Sequence, residues 1–168
     1  MNLPQSLLEL AQSMAKMDAK RPRQATLRRA ISTAYYSVFH LLTTEYAALY
    51  SSDPVAKAAI ARTVNHKDIA AIARDFSSST PVMPESLKSK GVVVTPELSA
   101  VARAFSELQD ERHDADYDVS FTYTRIEAEA ILTIARNAFK NWNTAKSSPA
   151  AKLFLACFQL KKAWNEKR

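Results

Sequence analysis

Apolar residues return every three or four positions along most of this chain, the period of an amphipathic helix. From Pro4 to Lys20 the set Leu7, Leu8, Leu10, Ala11, Met14 and Met17 keeps that spacing, with Pro4 in the first turn and Arg21-Pro22 as the break. A long second helix is predicted from about Gln24 to Tyr50, where Leu27, Ile31, Ala34, Val38, Leu41 or Leu42, and Leu49 form the apolar stripe. Asp53 before Pro54 is an N-cap and first-turn proline for a helix to about Arg62. Asn65, with Asp68 three residues on, caps another through Phe76, and the two read either as separate helices or as one bent helix.

From Ser77 to Thr95 the pattern lapses, with Pro81, Pro84 and Gly91 marking a loop that could act as a lid. Val92 to Val94 has strand character but no strand to pair with. Thr95-Pro96 restarts the helical period through Leu98, Val101, Phe105 and Leu108 to about His113, and Asp114 to Phe121 interrupts it. Thr124 and Glu127 form a capping box for a helix with the face Ala128, Ile131, Ala135, Ala138 and Trp142, ending near Asn143. Ser148-Pro149 opens the last helix, carrying Leu153, Phe154, Phe158 and Leu160. The expected fold is all-α: one domain, an up-and-down bundle of about five to six helices. Its core spans about residues 4–144, with an added C-terminal helix at about 149–166.

Composition agrees with the pattern. A chain of 168 residues is the size of one domain, and a single glycine leaves too few tight turns for a sandwich, a barrel or a phosphate loop. With Cys157 as the lone cysteine no intramolecular disulfide forms, which suits a reducing compartment. No stretch approaches a membrane span and the first twenty or so residues lack the features of a secretory signal, so a cytoplasmic chain is expected. The net charge of +6 is concentrated at Lys16, Lys20, Arg21, Arg23, Arg28 and Arg29 and again at Lys161, Lys162, Lys167 and Arg168. Phosphate is the natural partner of such clusters, although solubility alone accounts for many basic surfaces.

Two places break the rule of apolar inside and polar outside. On the long helix Arg29, Thr33, Tyr36 and His40, at steps of four, three and four, share one face beside the core stripe. Further on, Glu107 to Asp118 packs acidic residues around Arg112 and His113. Arg112 continues the face of Phe105 and Leu108 and is expected to point toward the bundle interior. Asp114, Asp116 or Asp118 in the following turn would supply its acceptor, because a buried guanidinium is costly unpaired. A structural helix-end network and a functional site both fit this pattern.

The run Arg28-Arg29-Ala30-Ile31-Ser32-Thr33-Ala34-Tyr35-Tyr36-Ser37-Val38-Phe39-His40, followed by Glu111-Arg112-His113-Asp114-Ala115-Asp116-Tyr117-Asp118, resembles the HEPN superfamily of small helical nucleotide- and RNA-binding domains. The resemblance covers the middle of the chain, from Arg28 to about Trp142. It implies a helical bundle that forms a homodimer, and a setting among bacterial defence, toxin–antitoxin or nucleotidyltransferase-linked systems, with an antitoxin or nucleotidyltransferase as protein partner. It also implies metal-independent ribonuclease chemistry, in which histidine acts as acid or base and arginine stabilises the phosphorane. The family's arginine, four to six residues, then histidine is absent: Arg62 and His66 are three residues apart in between, and Arg112 adjoins His113. Carried over residue by residue, the resemblance makes Arg112, His113 and His40 the catalytic candidates, and Arg29, Tyr36, Asp116 and Tyr117 the RNA- or nucleotide-binding ones. A catalytically inactive interaction module acting through a protein partner is the competing expectation.

Other chemistries find no footing. Asp114, Asp116 and Asp118 imitate the start of a calcium loop, but Val119 stands where glycine is needed and Arg125 where the bidentate glutamate belongs. His40, His66, His113 and Cys157 are too scattered for a zinc motif, so no metal and no cofactor is expected. No serine elbow is present, and Cys157 lies in an apolar run, which makes it a buried thiol rather than a nucleophile. Tyr35, Tyr36, Phe39, Tyr46 and Tyr50 on one helix serve core or dimer contacts more readily than base stacking.

Overall fold

A computed structural model describes residues 2–18, 20–78, 80 and 91–165, with side chains through residue 160. Among these residues the fold is all-α, with seven helices and no strand. They are α1 (Leu3–Lys16), α2 (Gln24–Ala48), α3 (Pro54–Ala61), α4 (His66–Ser77), α5 (Pro96–Tyr117), α6 (Arg125–Ala145) and α7 (Pro149–Asn165). No helix among them is long and apolar enough to cross a membrane.

Five of the predicted starts carry a side-chain cap. The Asp53 carboxylate accepts from the Ala56 amide at 2.8 Å, Asn65 from Asp68 at 3.0 Å, Thr95 from Leu98 at 3.2 Å and Ser148 from Ala151 at 3.1 Å. The capping box of α6 is complete: the Glu127 carboxylate accepts from the Thr124 amide at 2.7 Å, and the Thr124 hydroxyl accepts from the Glu127 amide at 3.2 Å. Separate caps on α3 and α4 make them two helices, not one bent helix. The Val92 to Val94 run is irregular rather than a strand. Residues 79 and 81–90, the centre of the expected lid, lie outside the described residues.

Two predicted ends need correction. α1 stops at Lys16, not Lys20, because Asp18 turns left-handed at φ 56° and the Arg125 guanidinium takes up the freed carbonyls of Lys16, Met17 and Asp18. α5 runs on to Tyr117, so Asp114 and Asp116 belong to the helix and not to a turn. Its last carbonyls are received by Arg28 of α2, four residues of helix that the local sequence had not promised.

Contacts gather the chain into two compact units, 1–41 with 104–139 and 42–103 with 140–168. In the first, Leu8, Ala11 and Ala15 of α1 are buried with Leu27, Ile31, Ala34, Tyr35 and Val38 of α2, Phe105 and Leu108 of α5, and Ala128, Leu132 and Ala135 of α6. The α1 stripe is narrower than predicted, since Leu10 and Met17 are exposed. In the second unit α4 packs on α7, with Phe76 edge-on to Phe154 at 5.1 Å, and Tyr46 lies against Phe158 at 5.8 Å. Cys157 is buried in that unit, as its apolar run predicts. Leu49 and Leu160, expected on apolar stripes, are exposed near helix ends.

Candidate functional site

The site is built within the first unit from the middle of α2 and the last turns of α5. α2 presents Ser32, Tyr36 and His40 at steps of four, and α5 presents Arg112 and Asp116 one turn apart, with Tyr117 following. The α5 backbone is fixed here by Arg28, whose Nη1 donates to the carbonyls of Asp114 and Ala115 at 3.4 and 2.9 Å. Its Nη2 donates to the carbonyls of Asp118, at 2.9 Å, and Phe121. A cation at a helix C-terminus also meets the negative end of the helix dipole. Gln24 adds a second clamp: its side-chain amide donates to the Tyr123 carbonyl at 2.7 Å, and its oxygen accepts from the Tyr123 amide at 2.9 Å.

Arg112 is the centre of the cluster. Its Nε stands 2.8 Å from Asp116 Oδ2, an ion pair whose approach lies off the N–H axis and so forms no hydrogen bond. Asp116 is braced in turn by the hydroxyl of buried Ser32, which donates to the same oxygen at 3.3 Å. Arg112 Nη2 donates to the Tyr36 and Tyr117 hydroxyls at 3.2 and 3.4 Å, and the guanidinium lies over both rings, 5.7 and 5.2 Å from their centroids. Burial lowers the affinity of Arg112 for its proton, but Tyr36 and Asp116 outweigh it, and the pKa rises above the ordinary arginine value. Arg112 is half-buried, less interior than the apolar stripe predicts, because its head reaches the rim where the tyrosines stand.

The two histidines stand on different helices. His113 is exposed, its ring 5.2 Å from that of Tyr117. His40 is half-buried next to Phe39 and Tyr36, at 5.4 and 6.5 Å between rings, and burial holds its pKa below the ordinary imidazole value. Tyr35, buried behind them against Phe105, has its phenol pushed far up by burial. Arg29 lies exposed on α2, and among the described residues its side chain makes no hydrogen bond or ion pair with the cluster. Thus the structure brings together Tyr36, Arg112, Asp116 and Tyr117, sets His113 and His40 at the edges, and leaves Arg29 apart.

Three contributors were not picked out in the sequence. Ser32 carried a usable signal, a serine four residues before Tyr36 on the face that continues to His40. Arg28 and Gln24 carried none, because their partners are 86 to 99 residues away. Among the described residues no three His, Cys, Asp or Glu side chains converge as a metal-binding set. Comparison with known proteins finds no matching family model, no matching curated protein and no matching solved structure, so the chemistry of the cluster itself must carry the functional reading.

Proposed function

We propose that the chain is an RNA- or nucleotide-binding domain of the HEPN kind, with Arg112, Tyr36 and Tyr117 as the ligand-contacting group. The observation that carries this reading is the state of the Arg112 guanidinium. It is oriented at Nε by Asp116 and laid over two tyrosine rings, and Nη1 makes no hydrogen bond among the described residues. A phosphate oxygen takes such a donor, and Tyr117, 62% exposed, offers a ring face to an unpaired base. The chain's net charge of +6 favours the same partner.

A cleavage reaction at this site would need no metal. His40, whose pKa burial lowers, would accept the ribose 2′-hydroxyl proton, and exposed His113 would protonate the leaving oxygen. Arg112 would stabilise the charge of the phosphorane between them. The resemblance adds a homodimer, and the lone cysteine suits a cytoplasmic setting. The test is incubation of the protein with labelled single-stranded and structured RNA in EDTA, beside His40→Ala and His113→Ala. Cleavage lost in either variant supports the nuclease reading. Binding without cleavage restricts the function to recognition.

A second reading, an interaction module working through an antitoxin or nucleotidyltransferase partner, is favoured by the turn after α5. There Val119 is 92% exposed, and Tyr117 at the end of α5, Phe121 in the turn and Ile126 in the first turn of α6 are exposed as well, apolar side chains of the kind that protein partners cover. Absence of both binding and cleavage at low salt favours this second reading.

A further inference from the structure

The first unit has another concavity that shares no lining residue with the Arg112 cluster. It is a groove of about 280 Å³ between the later turns of α5 and the first half of α6, lined by Glu111, Phe121, Tyr123, Glu127, Ile131 and Ile134. Its walls are apolar: the Phe121 and Tyr123 rings meet at 4.8 Å with a 53° tilt, and Ile131 and Tyr123 are themselves buried. Tyr123 is locked in place by Gln24 on its backbone and by its hydroxyl, which donates to the Glu111 carbonyl at 3.3 Å.

Glu111 is the anomaly. Its side chain is half-buried, and among the described residues its carboxylate has neither a hydrogen bond nor an ion pair. Burial raises its pKa, and the charges around it, Asp114, Asp110, Glu127 and Glu107, are of its own sign and raise it further. The nearby cation cannot serve it. Arg28 lies over the Tyr123 ring at 5.9 Å, but both its terminal nitrogens are committed to main-chain carbonyls. Glu127 has one oxygen engaged in the capping box, so it contributes field rather than a free ligand pair. A chain with an excess of six positive charges thus keeps an uncompensated carboxylate in the lining of an aromatic groove.

We propose that this groove binds a small primary alkylammonium compound, its ammonium on Glu111 and its hydrocarbon stem between the Phe121–Tyr123 corner and Ile131 with Ile134. The ammonium supplies the missing counter-charge and gains from the ring faces. The stem replaces water against apolar walls. A hydrated divalent metal ion fits poorly, since it needs about six oxygen ligands and the lining offers only two carboxylates, one of them engaged in the capping box, among rings and isoleucines. The volume lies just under the ~300 Å³ at which drug-sized pockets begin, so the ligand is a short amine.

The test uses the full chain and pentylammonium as the probe, followed by calorimetry and by NMR shifts of the Glu111, Phe121 and Tyr123 amides. The expected result is saturable binding centred on those residues. The neutral isostere 1-pentanol should bind about tenfold or more weakly, and Glu111→Gln and Phe121→Ala should each weaken the amine by about the same factor. Phe121 is partly exposed, so Phe121→Ala keeps the test open should Glu111→Gln perturb folding. Binding must survive Arg112→Ala, which separates this site from the RNA reading. Equal binding of amine and alcohol, full binding in Glu111→Gln, or recognition of a lysine peptide with the free amine inert would each overturn the proposal.

Discussion

Arg112 Nε and Asp116 Oδ2 stand 2.8 Å apart one helical turn along α5, with each side chain 23% exposed. That exposure decides how much the pair is worth. An exposed pair at this spacing contributes about 0.3–0.5 kcal/mol, and breaking a fully buried one costs about 3–5 kcal/mol. Asp116→Asn is expected to cost about 1 kcal/mol in urea unfolding, since Ser32 still bonds the remaining oxygen. A loss above about 3 kcal/mol would make the cluster a structural keystone rather than a ligand site.

Arg28 carries the opposite expectation. Its terminal nitrogens reach four carbonyls at the end of α5, so Arg28→Ala should cost about 2–4 kcal/mol and shorten α5. Arg28→Lys should recover little, because an ammonium lacks the planar fork that spans several acceptors. Urea midpoints and amide exchange at Ala115 to Tyr117 check both. A stable Arg28→Ala with α5 intact would show that the carbonyls find water equally well.

Stability should respond to pH through Glu111 and His40, with different signs. The folded-state pKa of Glu111 is raised, so the folded state holds its proton more tightly than the unfolded state, and stability falls as pH rises through the folded value. Glu111→Gln is therefore expected to be more stable than the parent at neutral pH, with the difference vanishing in acid. The folded-state pKa of His40 is lowered, so stability falls as pH drops through the ordinary imidazole value toward the lowered one. His40→Gln should flatten that limb. Melting temperatures across the acid-to-neutral range measure both effects, and parallel curves for parent and variants would contradict them.

Tyr117→Ala is expected to weaken single-stranded RNA binding by about 5- to 140-fold, the ~1–3 kcal/mol of one stacked base, and Tyr117→Phe should retain most of it. Because Tyr117 is largely exposed, helicity should be unchanged in both. Equal losses in the two variants would assign the role to the hydroxyl bonded to Arg112 instead of the ring.

Helix starts were legible in the sequence because their determinants are local. Asp53, Asn65, Thr95, Thr124 and Ser148 each accept from an amide three residues on, and a reader of the chain sees both partners at once. Helix ends were not. α5 outlasts its apolar pattern because Arg28, 86 residues earlier, caps it, and α1 stops short because Asp18 turns left-handed and Arg125 caps it from 107 to 109 residues away.

The site followed the same division. Helical spacing placed Tyr36 and His40 on one face, which the structure bears out, whereas Asp116 was one of three acceptors expected from a turn and instead pairs with Arg112 from within the helix. Spacing carried no information on which helix Asp116 also leans against, so Ser32 went unnoticed, nor on how far Arg29 stands from Arg112. Glu111 was passed over because an acid among acids looks like a solvated face until the groove beside it is seen.

The most direct test of the Arg112 cluster as a phosphate site is the affinity of single-stranded RNA for the parent and Arg112→Ala, measured across a salt series with helicity checked in parallel. Loss of about tenfold in affinity, and of about 0.7 in the slope of log K against log salt, is the expected result, the signature of one missing phosphate contact. Identical affinity and slope in a folded Arg112→Ala protein would contradict the assignment and leave the cluster as a brace between α2 and α5.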